Sequence, residues 1–107
     1  MIITRQIRHG DVFLQEVDIK QAGAEVKIGK KAVLAEGEVT GHHHVITAPK
    51  VEDWILGLHR YVRVDKEAVL DHPEHGKITV PANLPGKAWE VSIQRVYSPE
   101  AIRNVAD

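Results

Sequence analysis

The chain of 107 residues contains no cysteine, so it can form neither disulfide bonds nor thiolate zinc sites. Any metal site would therefore use nitrogen and oxygen ligands. The formal net charge of -1 provides no overall attraction to nucleic acid or to acidic membranes. No apolar run is long enough to span a bilayer, and the N-terminus carries no signal-peptide pattern. We therefore expect a cytoplasmic protein with no membrane partner.

Helix signals are also scarce. Short runs of β-type residues separated by turn residues predict seven or eight strands. The clearest helix signal is Ser98 as an N-cap, followed by Pro99 and Glu100 in the first turn, which predicts a C-terminal helix of about two turns. No repeat, linker or low-complexity segment interrupts the chain. The sequence thus predicts one all-β domain over residues 1–107, a small barrel or sandwich closed by a short C-terminal helix.

Three patterns predict the arrangement of the strands. The pair Gly29-Lys30 has the length of a hairpin connection between strands at residues 24–28 and 31–35. Alternation of apolar and polar residues predicts one strand over residues 54–64 and another over residues 87–97. The apolar faces of these strands and of the second N-terminal strand predict a shared core of eight residues: Val12, Leu14, Leu56, Leu58, Val62, Trp89, Val91 and Ile93.

The histidines of the chain are unevenly distributed, because five of the seven lie in two short clusters. Imidazole can bind a transition metal or transfer protons near neutral pH. In the first cluster an extended backbone would place His42 and His44 on one face of a strand and His43 on the other. The spacing of His42 and His44 is typical of two imidazoles that share one metal ion.

The second cluster runs from Asp71 to Gly76. Pro73 suits the first position of a helical turn that Asp71 or His72 would cap, and such a turn brings His72 and His75 together. If the two clusters converge, the ligands of a divalent metal ion (zinc, iron, manganese or nickel) would be His42, His44, His72 and His75. Glu74 would then be a further ligand, a hydrogen-bond partner of a ligand, or an acid/base.

Other interpretations of the same residues remain open. The histidines could be polar structural residues, which is what we expect of His9 and His59. Two histidines of different pKa could also act as general base and general acid in phosphodiester cleavage without a metal. Arg95 would then hold an anionic group, or else pair with an internal acid, because it extends the apolar face of the last strand. Gln94 faces the other way.

Two stretches resemble motifs of the cupin family. Residues 76–85, a glycine turn, a strand and a proline-flanked turn, are similar to the second cupin motif, and His42-x-His44 is similar to the first. The resemblance implies a cupin-like barrel as the first choice of fold. Gly86 stands where cupins carry their last histidine, and residues 48–50 lack the acid expected after the first motif. If the resemblance extends to a metal, His72 and His75 must replace those ligands.

A wider resemblance covers residues 37–44, 72–76 and 94–100, which are similar to an uncharacterised family of short bacterial and phage-encoded proteins. The family supplies no activity. The resemblance implies that seven residues belong to one pattern, while position 43 varies: His42, His44, His72, Glu74, His75, Gln94 and Arg95.

These observations lead to a specific functional expectation. We expect a small metal-dependent hydrolase or phosphodiesterase that acts on a small anionic, nucleotide or RNA substrate. Glu74 and Arg95 would be its catalytic residues. The alternatives are a non-catalytic protein- or RNA-binding module with structural histidines, and a metal-independent ribonuclease with two catalytic histidines. A homodimer is left open.

Overall fold

The computed structural model describes residues 5–36, 43–73 and 75–93. These residues form an all-β domain, as the sequence predicts, and they contain no helix. Among them, no segment could cross a membrane as a helix. Eight strands follow in chain order: β1 (Gln6–His9), β2 (Val12–Asp18), β3 (Lys27–Glu36), β4 (His43–Leu56), β5 (His59–Val64), β6 (Ala68–His72), β7 (Gly76–Val80) and β8 (Lys87–Ile93).

The strands form one antiparallel, barrel-like sheet around the long strand β4. Strand β3 pairs with one edge of β4, and β5 and β6 pair with different parts of its other edge. Beyond them, β7 pairs with β6, β8 pairs with β5 on one edge and with β2 on the other, and β1 pairs with β2. A hydrogen bond between the side chain of His9 and the carbonyl oxygen of Gly76 brings the end of β1 to the start of β7.

The main core fills the inner face of this sheet. On the first half of β4, alternate side chains point inward, so Ile46 and Ala48 are buried while Thr47 is exposed. Apolar residues from the seven strands β2 to β8 share this core, in which ten of the members are fully or almost fully enclosed. Its residues are Val12, Leu14, Ala32, Leu34, Ile46, Ala48, Val51, Val62, Val64, Ala68, Leu70, Val80, Trp89 and Val91.

A second, smaller cluster lies on the opposite face of the sheet. Trp54 and Tyr61 stack with their ring centroids 5.6 Å apart, and Ala88 packs beside them. The segment between β2 and β3 covers these rings, and the indole Nε1 of Trp54 donates a hydrogen bond to the carbonyl oxygen of Lys20 at 2.6 Å. Both faces of β5 are therefore covered, which is why consecutive residues Tyr61 and Val62 are both buried.

One buried ion pair attaches β2 to the connection between β7 and β8. The guanidinium of Arg5 donates two hydrogen bonds to the carboxylate of Glu16, at 2.7 and 2.6 Å, and lies over the ring of Trp89. Glu16 also accepts hydrogen bonds from the side chain of Asn83 and from the backbone of Leu84. These bonds satisfy a carboxylate that would otherwise be costly to bury.

Two of the predicted strand boundaries are wrong. Residues Gly29 and Lys30 do not form a hairpin, because β3 continues through them and pairs with β4 on both sides of an irregularity in register. Conversely, the predicted strand over 54–64 is broken by a two-residue connection at Gly57 and Leu58, where Gly57 has a φ of 65°. A side chain would be strained at that φ, so glycine permits the reversal.

The predicted core is correct for five of its eight members. Val12, Leu14, Val62, Trp89 and Val91 are buried together. The other three are not part of this core. Leu58 at the tip of the β4–β5 hairpin is fully exposed, Ile93 at the end of β8 is 44% exposed, and Leu56 packs against the cluster of Trp54 instead. The predicted C-terminal helix lies outside the described residues.

Candidate metal centre

Four histidines meet at one end of the barrel interior. His44 and His72 lie on the inward-facing sides of β4 and β6. Each is two residues along its strand from a buried core residue, Ile46 on β4 and Leu70 on β6. His9 ends β1 opposite Val12, which also faces the core. The alternation of each strand therefore directs a histidine into the space where the apolar core ends. His9, His44 and His72 are buried, with exposed fractions of 4%, 4% and 6%.

Three of these side chains have the geometry of a metal-binding group. One ring nitrogen each of His44, His72 and His75 can be chosen so that all three lie within 4.8 Å of one another. Two imidazole nitrogens on one tetrahedral zinc ion lie about 3.3 Å apart, given Zn–N distances near 2.0–2.1 Å. Side-chain rotations that move each nitrogen by about 1 Å would therefore bring the three histidines onto one ion.

The connection between β6 and β7 places His72 beside His75. His72 pairs with Gly76 across a tight turn, and Gly76 has a φ of 75°. The backbone N–H of His75 donates a hydrogen bond to Nδ1 of His72 at 3.3 Å. The described residues around position 74 thus belong to a turn between paired strands. The predicted approach of His72 to His75 is found, because their ring centroids lie 4.6 Å apart.

His9, which the sequence predicts to be structural or solvated and outside the ligand set, also lies in this cluster. Its Nδ1 lies 3.1 Å from Nδ1 of His44, and its Nε2 lies 2.9 Å from the carbonyl oxygen of Gly76. A signal was available in the sequence, since His9 alternates with Ile7 on β1 just before a glycine turn. That alternation alone does not show which strand end His9 will meet.

The β1–β2 turn lies directly against the exposed member of the cluster. Gly10, with a φ of 60°, leaves room for the His75 ring: a Cβ atom there would lie 2.5 Å from Cδ2 and 2.6 Å from Nε2 of His75. His75 itself is exposed to solvent on its other side. The cluster therefore has three buried members and one member through which solvent can approach.

The environment keeps His44 neutral. Burial is the main cause that lowers the pKa of His44 from its ordinary 6.5 to about 4, and repulsion by His72, His9 and His75 whenever these rings are protonated lowers it further. The carboxylate of Asp11 in the β1–β2 turn acts in the opposite direction. At neutral pH the His44 ring is consequently uncharged, which is the form that binds a metal ion.

The other predicted site residues have different outcomes. His42, Glu74, Gln94 and Arg95 lie outside the described residues. His43 follows the alternation of β4 and faces away from His44, and His59 is exposed and remote from the cluster in the strand pairing. Elsewhere in the domain, Arg60 donates two hydrogen bonds to the carboxylate of Asp53, at 3.0 and 2.8 Å, so its charge is compensated by an ion pair.

The chain belongs to the family described as "Domain of unknown function (DUF8820)", which it matches over residues 8–94. This family is an uncharacterised one, in agreement with the resemblance stated for the sequence. Neither the curated proteins nor the solved structures provide a significant match to the chain. The protein is therefore an all-β member of this family with a histidine cluster that could hold a metal ion.

Proposed function

We propose that the domain binds one divalent transition-metal ion through His44, His72 and His75, and that it is a small metal-dependent hydrolase acting on an anionic substrate such as a phosphodiester. The observation that carries the proposal is the convergence of three imidazoles from β4, β6 and the β6–β7 turn within 4.8 Å of one another. A purely structural role would not require the ring of His44 on β4 to meet the rings of His72 and His75 from the β6–β7 segment.

Among the described residues the group has three ligands, and this number supports catalysis better than a purely structural metal. Structural zinc sites use four protein ligands, whereas catalytic zinc sites commonly use three and keep one position for water. In such a position a metal-bound water has a lowered pKa and can act as a nucleophile near neutral pH. The exposed side of His75 provides the access that water and substrate need.

The charge of the ligand set supports an anionic substrate. Three neutral imidazoles leave the full charge of a divalent ion uncompensated, and burial of His44 and His72 reduces the screening of that charge by water. A phosphodiester or another small anion would be attracted to such a centre, and a short RNA would present the same group. Glu74 and Arg95 remain our candidates for the acid/base and for a cation that holds the anion.

The first experiment measures metal binding. Tag-free protein should bind about one Zn²⁺, Co²⁺, Mn²⁺ or Ni²⁺ ion per chain, as three-histidine sites do. His72→Ala should abolish this binding, whereas His59→Ala, which changes an exposed histidine outside the cluster, should leave it unchanged. Wild-type protein that binds none of these ions would contradict the proposal.

The second experiment tests the reaction. A panel of small phosphodiesters and RNAs is incubated with metal-loaded wild type, with His72→Ala, and with wild type plus a chelator. We expect turnover by the loaded wild type alone, and recovery when metal is restored after chelation. Cleavage that persists with a chelator and follows a bell-shaped pH profile would instead indicate the metal-independent ribonuclease. Binding of a metal without turnover of any substrate would contradict the hydrolase.

A further inference from the structure

We propose that His9 is a positioning residue of this centre, which holds His44 in the tautomer that presents Nε2 to the metal. This inference rests on the proposed metal site, and it assigns a role to a histidine outside the ligand set. Three contacts carry it: the bond from His9 to the Gly76 carbonyl, the bond between His9 and His44, and the burial of both rings.

The first step follows from the Gly76 carbonyl. A carbonyl oxygen can only accept a hydrogen bond, so the 2.9 Å contact requires a hydrogen on Nε2 of His9. A neutral imidazole carries one N–H, and Nδ1 of His9 is therefore an acceptor. The backbone of β7 thus determines which nitrogen of a side chain on β1 holds the hydrogen.

The second step is that an acceptor at Nδ1 of His9 determines which nitrogen of His44 carries the hydrogen. The two Nδ1 atoms of His9 and His44 lie 3.1 Å apart, and a hydrogen bond between them needs one donor and one acceptor. Because His9 accepts there, His44 must donate its Nδ1–H. The single hydrogen of the neutral His44 ring is then used, and its Nε2 keeps a lone pair for the metal.

This arrangement is the one that metal-binding histidines need. A ligating imidazole usually donates its second ring N–H to a partner, which fixes the orientation of the ring and raises the basicity of the ligating nitrogen. Carboxylates and backbone carbonyls often serve as that partner. Here Nδ1 of a fourth histidine, 3.1 Å from Nδ1 of His44, would do so.

The same contacts argue that His9 is not a fourth ligand. Both of its ring nitrogens are within hydrogen-bond distance of a partner, at 3.1 and 2.9 Å. To ligate, His9 would have to give up at least one of these bonds in a buried environment, where an unpaired polar group is costly. We therefore infer a three-histidine centre supported by a fourth histidine.

The most direct experiment reads the tautomers in the metal-free wild type. Long-range ¹⁵N–¹H correlation spectra at neutral pH distinguish protonated from unprotonated ring nitrogens. We expect His44 to be protonated at Nδ1 and bare at Nε2, and His9 to be protonated at Nε2. The opposite tautomer of His44 would overturn the inference, whether or not a metal binds.

Two substitutions at His9 test the consequence for metal binding. His9→Asn retains an acceptor near the position of Nδ1, whereas His9→Leu removes it and keeps an apolar side chain. With Co²⁺ as the probe, we expect His9→Leu to weaken binding about 10- to 100-fold, as loss of such partners typically does, and His9→Asn to lie closer to wild type. The visible spectrum of bound Co²⁺ should be unchanged in both, because the three ligands are retained.

The outcomes separate this inference from the proposed function. Wild-type Co²⁺ affinity in His9→Leu would overturn the positioning role and leave the metal site intact. A changed Co²⁺ spectrum in both variants would identify His9 as a ligand, and this result would also overturn its positioning role. If wild type binds no metal, the proposed function fails, while the tautomer measurement still decides the hydrogen-bond assignment. If His9→Leu does not fold, His9→Asn and the wild-type spectra carry the test.

Discussion

Gly10 and His75 are so close that a methyl group on Gly10 would overlap the imidazole ring, at 2.5 Å from its Cδ2 atom. The β1–β2 turn therefore forms a wall of the histidine cluster, and its shape depends on a residue without a side chain. The φ of 60° at Gly10 adds a second requirement for glycine, because side chains are strained there.

Gly10→Ala should consequently affect stability and metal binding together. We expect a loss of about 1–3 kcal/mol in the free energy of unfolding from the backbone conformation, and a weaker metal site because His75 must move. Gly57→Ala is the matched control, since Gly57 has a similar φ of 65° but no atom within 4 Å of an added Cβ. Gly57→Ala should lose stability and keep wild-type metal affinity, measured by denaturation and metal titration. Equal metal affinities in the two variants would contradict the role of the β1–β2 turn as a wall of the histidine cluster.

The ion pair of Arg5 and Glu16 predicts a pH dependence of stability. The hydrogen bonds from Arg5 are the main cause that lowers the pKa of Glu16 from 4.5 to about 2. The folded state therefore binds the proton less readily than the unfolded state, so this stabilisation is full above pH 4.5 and is lost as the pH falls toward 2. A shift of this size corresponds to at most about 3 kcal/mol.

Glu16→Gln tests this assignment. The variant should be less stable than wild type at pH 7, and the difference should shrink as the pH falls through 4.5 toward 2, as measured by urea denaturation. Asp18→Asn provides the control, because the Asp18 carboxylate is exposed and its ion pair with Lys87 should contribute little. A stability difference for Glu16→Gln that stays constant over this pH range would contradict the ion pair.

Two positions along β4 predict different costs for the same substitution, because the middle of the strand crosses the main core and its end beside the β4–β5 hairpin does not. Ile46 is fully buried in the main core, and Ile46→Ala should cost about 2–5 kcal/mol of unfolding free energy through lost burial and a cavity. Ile55 on the same strand is 64% exposed, and Ile55→Ala should change stability by only about 0.5 kcal/mol. Thermal or chemical denaturation measures both. Similar costs would mean that the orientation of β4 differs from the one described.

Metal binding should depend on pH because protons compete with the metal for imidazole. Metal-loaded protein should have lost its ion once the pH falls through about 4, where the buried His44 ring takes up a proton, with release measured by a chromogenic chelator. His59→Ala should release metal over the same pH range as wild type, since this residue lies outside the cluster. Retention of the ion well below pH 4 would contradict ligation by His44.

Much of the site could be predicted from the sequence, because strand alternation is a local property. The spacing of His44 within its strand and the separation of His72 and His75 both led to the side chains that converge. A tight turn brings residues three apart together, which is why the local spacing of His72 and His75 was informative. The place of His9 in the cluster could not be predicted, because its partners, His44 and Gly76, are 35 and 67 positions away.

The errors in the fold have a related cause. A two-residue turn at Gly57 and Leu58 leaves the alternation of the sequence looking continuous, although Trp54 then shares a face with Tyr61 and not with Val62. The pair Gly29-Lys30 resembles a turn, but β3 continues through it, and its pairing with β4 shifts register there. Both outcomes depend on how strands pair at long range, which local patterns do not specify.

The sequence by itself determined the all-β class, the absence of thiolate chemistry and the histidines available for a site, since these follow from composition and from the two-residue period of strands. Only the tertiary structure decided that β1 and β6 end, and β4 begins, at the same end of the barrel. That choice depends on register, which is set by burial of the whole inner face and not by any single strand. It is register that brings His9 against His44 and makes three distant segments into one site.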